Sequence, residues 1–280
     1  MLRKQAFQNS LPTVYLIATP IGNLEDITFR AINTLKKVDV IYAEDTRVTL
    51  NLLRHYQIEK PLKSFHEHNK LLALPQVLAE LESGKSVGLV SDAGMPLISD
   101  PGYELVLLAH EKGYNVVSIP GANAALSALS VAGITPQPFL FYGFLPMKAS
   151  KRALELARLK AVPETLIFYE APHRVGETLQ ALYSAFGDRD AAIVREITKL
   201  FEEIIKGTLG ELKDVGELKG EIVIVVAGHQ PEDAPEIIDI KAEIDRLIAS
   251  GLTKNDAIKQ VANTKNVHKS IVYKEYHEVE

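Results

Sequence analysis

A chain of 280 residues, 46% of them hydrophobic, is long enough to bury more than one core. It has no cysteine, which excludes a disulfide framework, a thiolate nucleophile and a sulfur-ligated zinc site, and its eight histidines show no metal-ligand spacing, so no metal is expected. The net charge of −5 argues against coating nucleic acid by bulk electrostatics, and apolar runs such as 222–227 fall far short of a membrane span, so a cytoplasmic protein without a membrane partner is expected.

Residues 1–10 read as a frayed tail. The β-branched and aromatic run 13–19 predicts a strand; Pro20, Gly22 and Asn23 break it, and Ile27, Ala31, Leu35 and Val38 then recur at helical spacing. A short strand at 40–43 ends in Glu44-Asp45-Thr46-Arg47 and leads to a helix with Leu50, Leu53 and Tyr56 on one side. The unit repeats at 62–65, which runs into His66-Glu67-His68-Asn69 and a helix through Leu78 and Leu81, and at 86–90, followed by the loop 91–102 and a helix carrying Leu105, Val106, Leu108 and Ala109. A last copy, 115–119, runs into Pro120-Gly121-Ala122-Asn123 and an alanine-rich helix. Strands alternating with helices predict a largely parallel sheet with polar residues gathered along the rim where its strands end.

Beyond Pro136 and Pro138, strands are expected at 139–144, 165–169, 191–194, 202–208 and 220–228, with helices at 151–159 and 175–186. The longer strands suggest a second α/β domain with a more antiparallel sheet, and the unbroken Ile-Val-Ile-Val-Val run places 220–228 at its centre. An acidic, proline-bearing linker at 229–238 precedes three short helices that resemble a helix-turn-helix bundle, with Ile240, Ile244 and Leu247 on one apolar face, Ala257, Ile258, Val261 and Ala262 on another, and Val267, Ile271, Val272 and Tyr276 on a third. Lys254, Lys259, Lys265, Lys269 and Lys274, with His268, Tyr273 and Tyr276, suit either nucleic-acid contact or a simple cap. The expected organisation is an α/β fold with domains at 1–121 and 122–228 and a helical tail at 234–280 for RNA contact or capping.

The loop 91–102 holds two glycines, two prolines and two aspartates, a composition that lets backbone approach a ligand with carboxylates at the mouth. No loop closes on Gly-Lys-Ser/Thr, and Pro20-Ile21-Gly22 lacks the spaced glycines of a dinucleotide site, so the ligand is not expected to be held chiefly through phosphates.

Several motifs taken together are recognisable. Leu16-Ile17-Ala18-Thr19-Pro20-Ile21-Gly22-Asn23-Leu24-Glu25-Asp26, Ala43-Glu44-Asp45-Thr46-Arg47, Ser91-Asp92-Ala93-Gly94 through Asp100-Pro101-Gly102, Phe168-Tyr169-Glu170-Ala171-Pro172-His173-Arg174 and Arg195-Glu196-Ile197-Thr198-Lys199 resemble the tetrapyrrole (corrin/porphyrin) methylase superfamily. The likeness is to its branch that methylates the 2′-oxygen of a cytidine in the decoding region of 16S ribosomal RNA. It runs from about residue 13 through 228, with a matching tail, and departs at Met95, where threonine is common. The resemblance implies a homodimer acting on 16S ribosomal RNA within the small ribosomal subunit. It also implies a cleft between the two α/β domains in which S-adenosylmethionine lies folded, touching Pro20 and Ile21, then Gly94, Met95, Pro96 and Ile98, then Asn123 and Ala124, and finally Tyr169 and Glu170, with Asp92 a further candidate.

Methyl transfer to a ribose hydroxyl is an in-line displacement whose nucleophile must lose a proton, so it calls for positioning, a nearby acceptor and a cation. His66, Glu67, Asp45 and Glu196 are candidate bases or acceptors; Arg47, Arg174 and Lys199 are candidate cations. Arg47 with Asp45, and Arg174 with Glu170, are equally readable as salt bridges. Lys148, Lys151, Arg152 and Arg189 are candidate phosphate contacts. Two other classes keep the same pocket: a methyltransferase for a small tetrapyrrole-like substrate, and a non-catalytic nucleotide-sensing or RNA-binding protein.

Overall fold

The structure, a computed structural model, describes residues 3, 5, 6, 8–230, 240–264 and 268–277. The chain divides into two compact units, residues 1–229 and 230–280.

The first unit contains two five-stranded sheets. One is wholly parallel, with β1 (Thr13–Ile17), β2 (Val40–Ala43), β3 (Leu62–Ser64), β4 (Val87–Val90) and β5 (Asn115–Ile119) in the order β3-β2-β4-β1-β5. Its central strands are apolar on both faces because helices cover both. Val14, Leu16, Tyr42 and Leu89 pack with Phe65 and Leu105 on one side, and Tyr15, Ile17, Ile41 and Val90 with Leu35 and Leu53 on the other. The intervening helices are α1 (Phe29–Lys37), α2 (Thr46–His55), α3 (Lys70–Glu82) and α4 (Tyr103–Glu111).

Three local details differ from the expected pattern. Ile27 lies outside α1, because Leu24–Asp26 forms a 3-10 turn and Thr28, in extended conformation, caps the helix by accepting the Ala31 N–H at 3.0 Å. In α2 the buried stripe is Thr49, Leu52 and Leu53, the i, i+3, i+4 set, which turns Leu50 outward. The stretch before β1 is tied down at Asn9, whose side-chain oxygen accepts from the buried Asn115 amide at 2.7 Å.

After β5 the chain crosses over. Helix α5 (Ala124–Val131) packs Ala125, Ala128 and Leu129 against Ile167, Ala192 and Val223 of the second sheet rather than against the first. That sheet is β6 (Phe139–Phe144), β7 (Thr165–Glu170), β8 (Asp190–Arg195), β9 (Glu203–Thr208) and β10 (Ile222–Val226), in the order β6-β7-β10-β8-β9. Only β6 and β7 are parallel, and β10 is the fully buried central strand. Its far face holds α6 (Ala149–Leu159), α7 (Val175–Phe186) and the short α8 (Leu209–Leu212) around Phe168, Leu179 and Ile224. The fold is thus α/β, with two α/β layers and separate C-terminal helices.

The second unit is α9 (Ile240–Ala249), α10 (Lys254–Thr264) and α11 (Lys269–His277), closed over Ile244, Ala257, Ile258, Val261, Ala262 and Val272. Ile271, expected on the packed face, is exposed beside the fully buried Val272. Most of the acidic linker, Lys265 and Val267 lie outside the described residues. Among the described residues no helix is long and apolar enough to cross a membrane.

Candidate active site

The carboxyl ends of β1 and β4 face β7 and β10 across a cleft of about 370 Å³. Its shape depends on the loop 91–102. Gly94 and Thr19 exchange backbone hydrogen bonds, Thr19 N–H to Gly94 O at 2.9 Å and Gly94 N–H to Thr19 O at 3.1 Å, which joins this loop to the one after β1. Four residues of the loop are left-handed: Gly94 (φ 78°), Leu97 (72°), Ser99 (73°) and Gly102 (135°). For Leu97 and Ser99 that conformation costs roughly 1 kcal/mol or more each, and such strain collects at functional sites.

Eight of the eleven residues the resemblance assigns to the donor converge on this cleft from three places. Ile21, Gly94, Met95 and Ile98 come from the loops of the first sheet, Asn123 and Ala124 from the start of α5, and Tyr169 and Glu170 from the end of β7. Asn123 also accepts the Leu126 N–H at 2.9 Å and so fixes where α5 begins. Pro96 is buried and lines neither this cleft nor its neighbour. The Glu170 carboxylate is turned to structural work: it accepts from the Ala171 N–H at 2.8 Å and the Thr178 hydroxyl, and lies 3.4 Å from the Arg174 guanidinium.

A second cavity of about 400 Å³ adjoins the first, sharing Ile21, Ala93 and Glu221 with it. Pro20, Asp92 and Lys199 line it. Asp92 accepts the Asp45 N–H at 2.9 Å, linking the loops after β4 and β2. The Lys199 ammonium lies 2.9 Å from Glu196 and 3.2 Å from Glu221. Burial works against its charge, but the two carboxylates outweigh burial and raise its pKa. Lys199 also lies along Gly22, where a Cβ would come within 2.3 Å of its side chain. The Thr198 hydroxyl donates to Asp26, a further tie between the two α/β layers.

Of the seven candidate catalytic residues, Lys199 alone lines either of these two cavities, with Glu196 bonded to it. Asp45 caps α2 and holds Arg47, which keeps the Asp45 carboxyl down at about 2; the Arg47 side chain is 89% exposed. Arg174 pairs with Glu170 and donates to Leu145 O. Glu67 pairs with Lys70, and His66 lines neither cavity. Arg152 is buried against Glu177, and Arg189 donates to Lys160 O, so both are held by the protein itself.

Ser99, Phe144 and Glu221, which no motif marks as ligand residues, line the cleft as well, with Asp100, one of the two aspartates of the loop 91–102. Asp100 is the most perturbed of them: burial, then the nearby Glu44 and Asp92 carboxylates, push it up to about 6 against the help of the Ser91 hydroxyl. Glu44 is raised as well, by burial and then by Asp92. Two aspartates in one glycine-rich loop were a visible hint, but which one faces the cleft was not. Among the described residues no group of three or more histidine, aspartate or glutamate side chains is placed to hold a metal.

A cleft of this form between two α/β layers belongs to a class of methyltransferases: the family model of the Tetrapyrrole (Corrin/Porphyrin) Methylases matches residues 13–213, and the chain belongs to that family. Within it the chain is 48% identical over 289 residues to the protein named ribosomal RNA small subunit methyltransferase I of Bacillus subtilis (strain 168), covering 99% of each. It is 44% identical over 273 residues to the protein of the same name from Streptococcus pyogenes serotype M1, covering 95% of each. Solved structures share the fold: a diphthine synthase has a TM-score of 0.60 at 15% identity, over 78% of this chain and 91% of that one. A uroporphyrin-III-C-methyltransferase from Thermus thermophilus has a TM-score of 0.55 at 20% identity, over 77% and 94%.

Proposed function

We propose that the chain methylates the ribose 2′-oxygen of a cytidine in 16S ribosomal RNA, using S-adenosylmethionine, as a cytoplasmic homodimer acting on the small ribosomal subunit. The observation that carries this reading is the pair of adjoining cavities, which offers a donor site and a nucleophile site meeting at Ile21, Ala93 and Glu221. The full-length likeness to proteins named for small-subunit ribosomal RNA supports it.

The residues of the first cavity suit this donor. Gly94 leaves the wall bare where a Cβ would stand 3.3 Å from Ile21 Cγ2, and Asp100, with Glu44 and Asp92 near it, gives the site the negative character a cationic ligand needs. S-adenosylmethionine supplies an electrophilic methyl group on a positively charged sulfur. The chain's part is to place the ribose oxygen on the axis of that methyl and to manage the hydroxyl's proton. Lys199 is the cation available to steady the developing oxyanion or an adjoining phosphate, and the Glu221 carboxylate beside it is the acceptor at the junction of the cavities. Positioning carries the larger share.

The deciding experiment offers radiolabelled S-adenosylmethionine and the purified protein either small ribosomal subunits lacking the modification or a tetrapyrrole precursor. Label recovered as a 2′-O-methyl nucleoside in ribosomal RNA bears the proposal out; label in the tetrapyrrole, or in neither, overturns it.

Asp100 makes donor binding depend on pH. Below about 6 its carboxyl is neutral and attracts a sulfonium less, so the donor dissociation constant should weaken severalfold between pH 7.5 and 5.5. The same shift weakens the fold in the opposite sense. Between pH 4 and 6 the native chain keeps a proton that the unfolded chain has lost, so this group's contribution to stability falls as pH rises and stays unfavourable above 6. Asp100→Asn should therefore flatten the pH profile of binding and raise stability at pH 7.5, by on the order of 1 kcal/mol after allowance for solvent screening. An equally steep profile in the variant would remove Asp100 from the donor site.

The C-terminal helices are proposed as an RNA-contacting unit. Lys254, Lys259, Lys269 and Lys274 are all exposed on it. Reversing Lys259 and Lys269 to Glu should weaken subunit binding about tenfold at low salt and reduce the slope of log affinity against log salt by about 2, with donor affinity unchanged. An unaltered slope would take these helices out of the RNA interface.

A further inference from the structure

Strand β6 is irregular where it reaches the cleft. It pairs with β7 in register as far as Phe141 opposite Ile167, but Gly143 then pairs with Phe168 and Phe144 with Tyr169, leaving Tyr142 as an extra residue. Gly143 takes a φ of 81° at this step, which a side chain would strain, and a Cβ there would stand 3.4 Å from Ser99 Oγ. Side chains alternate along a strand with a period of two, so one added residue sends everything after it to the opposite face. Regular pairing would put Phe144 with Leu140 and Tyr142, against the core around Phe168. The bulge puts it with Phe141 and Tyr169 instead, on the wall of the cleft.

There the Phe144 ring meets Tyr169 edge to face, with centroids 5.6 Å apart and planes at 65°. Tyr169 is braced in turn by Phe141, at 4.9 Å and 66°. Phe144 is nevertheless 54% exposed, so a phenyl ring removed from the core is held in place without being covered. The chain that follows carries Met147, 77% exposed, and then Lys148 and Lys151, both exposed.

We infer that Phe144 is the stacking platform for a nucleobase of the RNA substrate. The inference rests on the RNA reading above and adds the residue that grips the base. A braced ring at the cleft wall offers a π surface that any base can cover, and the exposed Lys148 and Lys151 that follow in the chain are cations open to RNA phosphates. Phe144 also lines the first cavity, so the donor is the competing occupant of the ring, and the half of its surface left exposed is what a base can cover.

The test uses the full-length protein with small ribosomal subunits lacking the modification, and measures the KM for subunits and the dissociation constant for S-adenosylmethionine separately. Phe144→Ala and Phe144→Leu are expected to raise the KM about tenfold, Phe144→Trp to stay within about twofold of the parent, and all three to change donor affinity by much less than the KM, although the ring lines the donor cavity. Leucine matters because it keeps apolar bulk and removes the π face. An unchanged KM in Phe144→Ala overturns the inference and leaves the RNA reading standing. So does a donor affinity that falls by the same factor, since the ring would then belong to the donor site. If the parent protein labels no ribosomal RNA at all, the RNA reading falls and this inference falls with it.

Discussion

Gly94→Val is expected to yield a folded protein that shows no measurable heat of S-adenosylmethionine binding, a loss of at least 100-fold. Two effects act together. The φ of 78° at this position is one that a β-branched residue resists, and the strain falls on a segment tied to Thr19 by reciprocal hydrogen bonds, so the loop must shift or distort that tie. A Cβ would also stand 3.3 Å from Ile21 Cγ2 and 3.6 Å from Ala122 O, and the two further methyls of valine have to be accommodated beside a wall of the cleft. The cost to folding is about 1–3 kcal/mol, within reach of a typical domain's stability. Gly94→Ala, with the backbone strain but no branch, should fall between the two. Calorimetry on variants whose circular dichroism matches the parent reads the result, and undiminished binding in Gly94→Val would remove this loop from the donor site.

Glu170→Ala should be the most damaging change to the fold among the cleft residues. Its carboxylate side chain is fully buried, with Arg174 only 13% exposed beside it, and removal strands a guanidinium, the Thr178 hydroxyl and the Ala171 N–H together. Breaking a buried pair from one side costs about 3–5 kcal/mol, which corresponds to a fall of roughly 10 °C in the melting of the first unit. Glu170→Gln keeps one oxygen to accept from either the Ala171 N–H or the Thr178 hydroxyl and should lose about half as much. Donor affinity, measured well below the transition, should change by less than about threefold in both. A large loss of affinity without a loss of thermal stability would instead make Glu170 a direct contact of the donor, the role its family resemblance implies.

Glu170 and Phe144 show where a linear reading stops. The motif Tyr169-Glu170-Ala171-Pro172 was visible as a polar strand end, and its position at the cleft followed from that. Whether the carboxylate points at a ligand or back at α7 depends on Thr178 and Arg174, whose spacing is compatible with either. Phe144 looked like the last apolar residue of an aromatic strand. Nothing in Phe139–Phe144 marks Tyr142 as the inserted residue, because a bulge is a property of a pair of strands and not of one. His66 and Glu67 line neither cavity for a related reason: a strand end in the right sheet need not reach the cleft, and β3 is the outermost strand, with β2 and β4 between it and β1. Lys199 was found from its motif, yet its ion pair with Glu221 joins two segments whose proximity only the pairing of β8 with β10 creates.

Most strands and helices, the parallel character of the first sheet, the central place of β10, the rim loops, the assignment of α5 to the second domain and the family are legible along the chain. Those features rest on periodicities of two and 3.6 residues, on caps and breakers, and on contiguous motifs, all of which act over a few residues and can be read along the chain. Packing alone sets that two cavities adjoin at Ile21, Ala93 and Glu221, that Asp100 is the carboxyl raised beside the cleft, and that a bulge turns Phe144 outward. Each of these depends on contacts between residues far apart in sequence, and on electrostatics set by burial, which no local pattern encodes.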